Sequence, residues 1–132
     1  MERLTLVGRG AILNQMVEYR EATLDRTFAA LADPTRRALV AKLRTGSETI
    51  STLAGEFPMS LQAVIKHLDV LNDAGLITRK KTGRTVACAL TPEPLERATR
   101  WLEEQQRAWD ERLDRFGAYL HHLQQGVTDE PS

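Results

Sequence analysis

One segment, residues 50–90, constrains the fold of this chain more than any other. It holds two apolar-periodic stretches, ISTLAGEF and SLQAVIKHLDVLNDAG, which meet at a tight turn at residues 58–60 and predict two short helices. The basic stretch LITRKKTGRTVACAL follows, with Gly83 near its middle, and is typical of a two-stranded hairpin. Two short helices followed by a hairpin are the order of a winged helix-turn-helix, a mostly α-helical fold with a small β-hairpin wing.

Charge is distributed unevenly along the chain, although the net charge is zero. Residues 34–91 hold nine basic and four acidic side chains, a net charge of +5, whereas residues 92–132 carry −4 and residues 1–33 carry −1. Charges are screened over about 8 Å at physiological salt, so the local field decides whether a phosphate is attracted. The middle segment can therefore bind nucleic acid despite the neutral total.

Length and composition exclude several classes of protein. The 132 residues suit about one domain, no run of eighteen apolar residues predicts a membrane span, and residues 1–10 do not resemble a signal peptide. A single cysteine, Cys88, cannot form an internal disulfide and suits the cytoplasm. Three histidines without a nucleophile–base set, and no glycine-rich phosphate loop, argue against an enzyme. We expect no cofactor and no metal.

Apolar spacing predicts further helices, five to six in all, at residues 11–19, 24–32, 34–45 and 93–124. Asp33 and Pro34 are suited to begin the third of these helices, and Gly46 to follow its end. A single domain of residues 1–132 is predicted to have four parts: an N-terminal dimerisation helix in 1–23, the winged helix-turn-helix in 24–91, a long C-terminal dimerisation helix in 92–125 and a flexible tail in 126–132.

The second helix of the helix-turn-helix has an apolar side and a polar side. A buried stripe is predicted for its apolar side at Leu61, Val64, Leu68 and Leu71. The other side carries five candidate DNA contacts: Ser60, Gln62, Ala63, Lys66 and His67.

These residue types suit base edges and phosphate. Gln62 can pair with adenine, Lys66 can donate to guanine, and Ala63 can contact a thymine methyl group. Ser60 lies where a helix N-terminus favours phosphate. The alternative is that Ser60 only caps the helix and Lys66 is only a solvated charge.

Six more basic residues are candidate phosphate contacts, two before the helix-turn-helix and four in the wing: Arg36, Arg37, Arg79, Lys80, Lys81 and Arg84. The first two lie in the first turn of a predicted helix, where the helix dipole disfavours cations, which suggests that an external anion offsets them. The alternative for the wing is a solvated hairpin whose charges block pairing with other strands.

Apolar residues recur every seven positions in the last predicted helix, and such a seam needs a partner helix. Candidate interface residues for a homodimer comprise this seam and two residues near the N-terminus: Leu102, Trp109, Leu113, Phe116, Leu120, Leu123, Leu13 and Met16. The seam can pack on the N-terminal helix, on a second protomer or on both.

The stretches FAALADPTRRALVAKL, ISTLAGEF and MSLQAVIKHLDVLNDAGLITRKKTGRTVACAL resemble the ArsR/SmtB family of bacterial winged-helix repressors. The resemblance implies a homodimer that binds double-stranded DNA at a palindromic operator and is released by an inducer. Ile65 departs from the small polar residue that the family usually carries there. A second interpretation is a winged-helix module that binds another protein instead of an operator.

Metal sensors of this family carry paired cysteines on the helix that reads ISTLAGEF here, and this chain has none there. Cys88 is expected to be buried and inert, with redox sensing as the alternative. His121 and His122 are expected to be solvated, with a metal shared across a dimer as the alternative. A small-molecule inducer near Trp101, Trp109 or Phe116 is a further hypothesis.

Overall fold

The computed structural model describes the backbone of residues 2–128 and the side chains of residues 12–126. Its elements, in chain order, are α1 (Glu2–Leu31), α2 (Pro34–Lys42), a 3₁₀ turn (Leu43–Thr45), β1 (Glu48–Thr49), α3 (Ile50–Gly55), α4 (Leu61–Asp73), β2 (Ile77–Thr82), β3 (Thr85–Leu90) and α5 (Pro92–Thr128). Five α-helices and a small sheet confirm the predicted mostly helical fold with a β-hairpin wing. None of the described helices is both long enough and apolar enough to cross a membrane.

The prediction of two helices at residues 11–19 and 24–32 is wrong, because α1 runs through both without a break. Residues 20–23 contain neither glycine nor proline, and nothing in them ends a helix. Thr23 donates its hydroxyl hydrogen to the backbone oxygen of Tyr19, and Thr27 donates in the same way to Thr23, so both threonines satisfy their hydroxyls within the helix. The expected boundary between residues 23 and 24 thus falls inside a helix.

Local capping defines the helices of the helix-turn-helix. The hydroxyl of Thr49 accepts the backbone N–H of Thr52 at the start of α3. At the other end of the motif, Gly75 follows α4 at φ +77°, and the N–H of Leu76 donates to the backbone oxygen of Leu71 at 2.9 Å. This backbone conformation favours glycine and closes α4 with a Schellman motif, which directs the chain into the wing.

The predicted two-stranded hairpin is formed by β2 and β3, and β1 extends it to a three-stranded antiparallel sheet in the order β1-β3-β2. The third strand was missed because β1 has only two residues, too few for a periodic pattern. Gly83, at φ +63°, occupies the first position of the two-residue turn between the paired Thr82 and Thr85.

The core lies between the helices and the base of the sheet. Its most buried hydrophobic side chains come from the first four helices, the 3₁₀ turn, the sheet and the junction before β2: Ala30, Leu39, Leu43, Leu53, Val64, Leu68, Leu71, Leu76, Ile77 and Cys88. Leu61 was predicted to belong to this set, but it is 48% exposed. Periodicity gives the direction of a side chain, but it does not show where along α4 the core begins.

The chain divides into two compact units between Ala98 and Thr99. In the first unit, Pro94 and Ala98 of α5 are buried and Leu95 packs against the core. In the second, all described side chains of residues 99–126 are exposed. α5 reaches Thr128, so residues 126–128 of the predicted flexible tail are helical, and residues 129–132 lie outside the described part.

Candidate nucleic-acid interface

The polar side of α4 is available to a ligand. Ser60 caps the helix, since its hydroxyl accepts the N–H of Ala63 at 3.1 Å. Gln62 and Lys66 are exposed, and their side chains form no hydrogen bond or ion pair with the residues described. Ala63 is half-buried beside them. The first two turns of α4 therefore present an amide and an ammonium group, the types of donor that base edges accept.

His67 is less open than its neighbours on α4, because it faces the start of α2. Its Nδ1 atom lies 3.8 Å from Oδ2 of Asp33, and both side chains are mostly covered. The pKa of the Asp33 carboxyl is lowered, chiefly by the hydrogen bond that it accepts from the backbone N–H of Arg36 and also by His67. His67 thus contacts the protein itself, on the flank of α4 toward α2.

Arg36 and Arg37 do not need an external anion, in contrast to the prediction. Arg36 donates from Nε to the backbone oxygen of Ala30 at 2.6 Å and from Nη2 to that of Ala29 at 3.2 Å. Arg37 donates to the oxygen of Leu31 at 2.8 Å. Both guanidinium groups therefore cap the negative C-terminal end of α1, which offsets their unfavourable place at the start of α2.

The four basic residues of the wing divide into two kinds. Lys80, Lys81 and Arg84 are exposed, and their side chains have no ion-pair partner among the described residues. Arg79 instead donates from Nη1 to Oδ1 of Asp69 on α4 at 2.6 Å. The tip of the wing therefore carries three uncompensated positive charges, while the charge at its base is neutralised.

Asp69 is a residue that the sequence reasoning missed. It lies ten positions before its partner Arg79, and the two meet only because α4 and β2 fold against each other. The one available signal was an acid on the polar flank of a helix that otherwise offers donors to DNA.

Cys88 is buried, as predicted, and it lies opposite Arg79 in the sheet. Burial raises the pKa of its thiol, and the nearby Arg79 offsets only part of that rise. A neutral, enclosed thiol is a poor nucleophile and a poor metal ligand.

His121 and His122 are exposed on α5, with Nε2 of His121 3.1 Å from the side-chain nitrogen of Gln125. Among the described residues, no three His, Cys, Asp or Glu side chains are grouped to hold a metal.

The eight candidate interface residues are all exposed in the single chain, from Leu120 at 44% to Leu13 at 63%. Among them, Trp109 and Phe116 are more than half exposed. Six of the eight lie along α5, and an exposed row of large apolar side chains on a helix is typical of a surface that contacts another protein.

Known proteins share this architecture. A family model described as a helix-turn-helix domain matches residues 31–80. The HTH-type transcriptional regulator Rv2034 of Mycobacterium tuberculosis is 41% identical over 80 residues, which are 61% of this chain and 73% of that protein. The transcriptional repressor SdpR of Bacillus subtilis is 28% identical over 60% of this chain and 88% of its own.

Solved structures agree. The crystal structure of an ArsR family transcriptional regulator superposes with a TM-score of 0.64 at 43% identity, over 68% of this chain and 93% of that one. That protein and the two relatives are all transcriptional regulators. This chain belongs to the ArsR/SmtB family of winged helix-turn-helix, DNA-binding transcriptional regulators.

Proposed function

We propose that this regulator is a homodimer that binds a palindromic operator, represses the adjacent promoter and is released by an inducer. The observation that carries the proposal is the exposed Gln62 and Lys66 on α4, next to a wing whose Lys80, Lys81 and Arg84 have no ion-pair partner among the described residues. Donors for base edges beside cations for phosphates are what sequence-specific binding to duplex DNA requires.

In this proposal α4 is the recognition helix and lies in the major groove. Gln62 pairs with adenine, Lys66 donates to guanine and Ala63 contacts a thymine methyl group. The hydroxyl oxygen of Ser60 accepts the N–H of Ala63 as the helix cap, and its O–H hydrogen is left to donate to a phosphate at the N-terminus of α4. His67 supports the flank of α4 through Asp33 and is a weaker candidate for a base contact.

Two protomers are needed to place two recognition helices about 34 Å apart, on successive major-groove faces. The exposed seam of α5 is one candidate surface for this pairing, and the apolar stripe of α1 around Leu13 and Met16 is another. Both lie outside residues 31–80, the part that the helix-turn-helix model matches.

Repression and release are supported by family membership and by the name of one relative, the transcriptional repressor SdpR. A small hydrophobic inducer is favoured over a metal, since the paired-cysteine motif is lacking and Cys88 is buried. Contact with Trp109 or Phe116 on the seam would couple such a compound to the spacing of the recognition helices.

The test is a binding titration of the purified protein on the duplex upstream of its own coding sequence, with Gln62→Ala and Lys66→Ala as variants. Each should reduce the discrimination between matched and mutated base pairs by about 1–3 kcal/mol. Gln105→Ala, an exposed glutamine on α5, is the matched control and should leave base preference unchanged. Base discrimination equal to that of the wild type in both α4 variants would contradict the assignment of the recognition helix.

A further inference from the structure

The wing is tied to α4 by the ion pair between Arg79 and Asp69, whose Nη1 and Oδ1 atoms are 2.6 Å apart. Arg79 is the third residue of β2, near the base of the hairpin, and Asp69 is in the third turn of α4. The pair therefore joins the two elements that the proposed function assigns to base and phosphate contacts.

Little else fixes the outer part of the wing. Ile77 and Cys88 are buried at its base, whereas residues 78–85 are exposed. β2 is an edge strand, since it pairs only with β3 in the order β1-β3-β2. From Arg79 to the turn at Gly83 the strand extends about 13 Å, at roughly 3.3 Å per residue. A small change of angle at Arg79 is therefore magnified at Arg84.

The negative charge of Asp69 is unfavourable beside the phosphates of DNA. A half-exposed acid on the recognition helix repels phosphate, and pairing with Arg79 also removes a cation that could otherwise bind it. An ion pair so open to solvent adds little to the stability of the fold. The orientation of the wing is then the property that the ion pair can still affect.

We propose that Asp69 and Arg79 are positioning residues, whose ion pair holds the wing at the angle that brings Lys80, Lys81 and Arg84 to the phosphates beside the bases read by α4. The proposal rests on the proposed function, because it requires α4 and the wing to bind the same duplex.

The decisive variant is Asp69→Asn, which removes an acidic side chain and leaves every basic side chain in place. If Asp69 were only a charge near DNA, this variant would bind duplex more tightly. Positioning predicts the opposite: operator binding weakens roughly three- to tenfold when one or two phosphates per protomer are no longer bound by the wing. The slope of log K against log salt also becomes shallower, by about 0.9 for each phosphate that is no longer neutralised, although no cation has been removed.

Two further variants separate orientation from charge and from folding. Asp73→Asn makes the same charge change at an exposed residue of α4 without a described partner, and it should bind as tightly as the wild type or more tightly. The exchange D69R/R79D restores the pair in reverse and should recover both affinity and slope. Thermal unfolding of each variant shows whether the substitution has reduced the amount of folded protein. A smaller folded fraction lowers the apparent affinity, but it does not change the slope of log K against log salt.

The outcomes are distinct. Tighter or unchanged binding by Asp69→Asn with an unchanged slope overturns the positioning role, as does failure of the exchange variant to recover binding. Absence of salt-dependent, sequence-specific binding by the wild type would instead contradict the proposed function, and this is seen before any variant is made.

Discussion

Arg36 reaches back from the first turn of α2 to cap α1: its Nε donates to the backbone oxygen of Ala30 at 2.6 Å. The preceding loop is only two residues long, so the guanidinium group joins the end of one helix to the start of the next. The residue looked from sequence like a phosphate contact, and in the structure its donors serve the protein itself.

Arg36→Ala is therefore expected to reduce the free energy of unfolding by about 1–3 kcal/mol, since it removes two charge-assisted hydrogen bonds to α1. Urea denaturation measures the change. Arg37→Ala, which removes one hydrogen bond at an exposed side chain, serves as the comparison and should have a smaller effect. Unchanged stability together with a shallower salt dependence of DNA binding would return Arg36 to the phosphate-binding residues.

Arg84 at the tip of the wing is predicted to bind phosphate directly. Arg84→Ala should weaken binding to all duplex sequences alike and reduce the salt slope by about 0.9 per protomer. Arg115→Ala, which removes the same charge from an exposed site on α5, should leave the slope as it is. The slopes are measured in binding titrations at a series of salt concentrations. An unaltered slope for Arg84→Ala would show that Arg84 does not contact the DNA backbone.

Two leucines of α4 should differ sharply in their effect on stability. Leu68 is fully buried, so Leu68→Ala should destabilise the fold by about 2–5 kcal/mol. Leu61 is about half exposed, so Leu61→Ala should destabilise it much less. Equal losses of stability in urea denaturation would mean that Leu61 belongs to the core after all.

The carboxylate of Asp33 makes a pH-dependent contribution to stability. In the folded state its pKa lies below the ordinary value of 3.8, mainly because the carboxylate accepts the backbone N–H of Arg36. Folding therefore favours the charged form. The contribution is complete above the unfolded-state pKa and is lost as the pH falls through the folded-state value. Asp33→Asn keeps an acceptor for the helix cap but not the charge.

The loss of stability between neutral pH and pH 3, followed by urea denaturation, should therefore be smaller in Asp33→Asn than in the wild type. Parallel pH profiles for the two proteins would show that the charge of Asp33 does not matter.

The α5 seam is predicted to mediate dimerisation. Leu113→Glu places a charge in the apolar row and should shift the protein from dimer to monomer in sedimentation velocity. Ala108→Glu introduces the same charge at an exposed position outside the seven-residue repeat and is the matched control. A dimer that tolerates Leu113→Glu but not Ala108→Glu would place the interface on another face of the helix.

The sequence was sufficient for the helix-turn-helix and the wing, because both depend on short-range signals. Ser60 caps α4, Gly75 ends it and Gly83 turns the hairpin, and each acts on its immediate neighbours. The exposed Gln62 and Lys66 followed from the same periodicity.

Relationships between elements could not be read in this way. The Asp69–Arg79 pair, the contact of His67 with Asp33 and the capping of α1 by Arg36 each depend on how helices and strands meet in space. Sequence patterns assign a side chain to a face, but they do not say which atom on another element that face will meet. The same limit explains why Leu61 was expected in the core.

The most direct measurement is a hydroxyl-radical footprint of the wild-type protein on its upstream duplex. A dimer that inserts two recognition helices should protect two patches related by a twofold axis, with centres one helical turn, about 34 Å, or a multiple of it apart. A single unsymmetric patch, or protection that does not depend on DNA sequence, would contradict a dimeric regulator that reads its operator through α4.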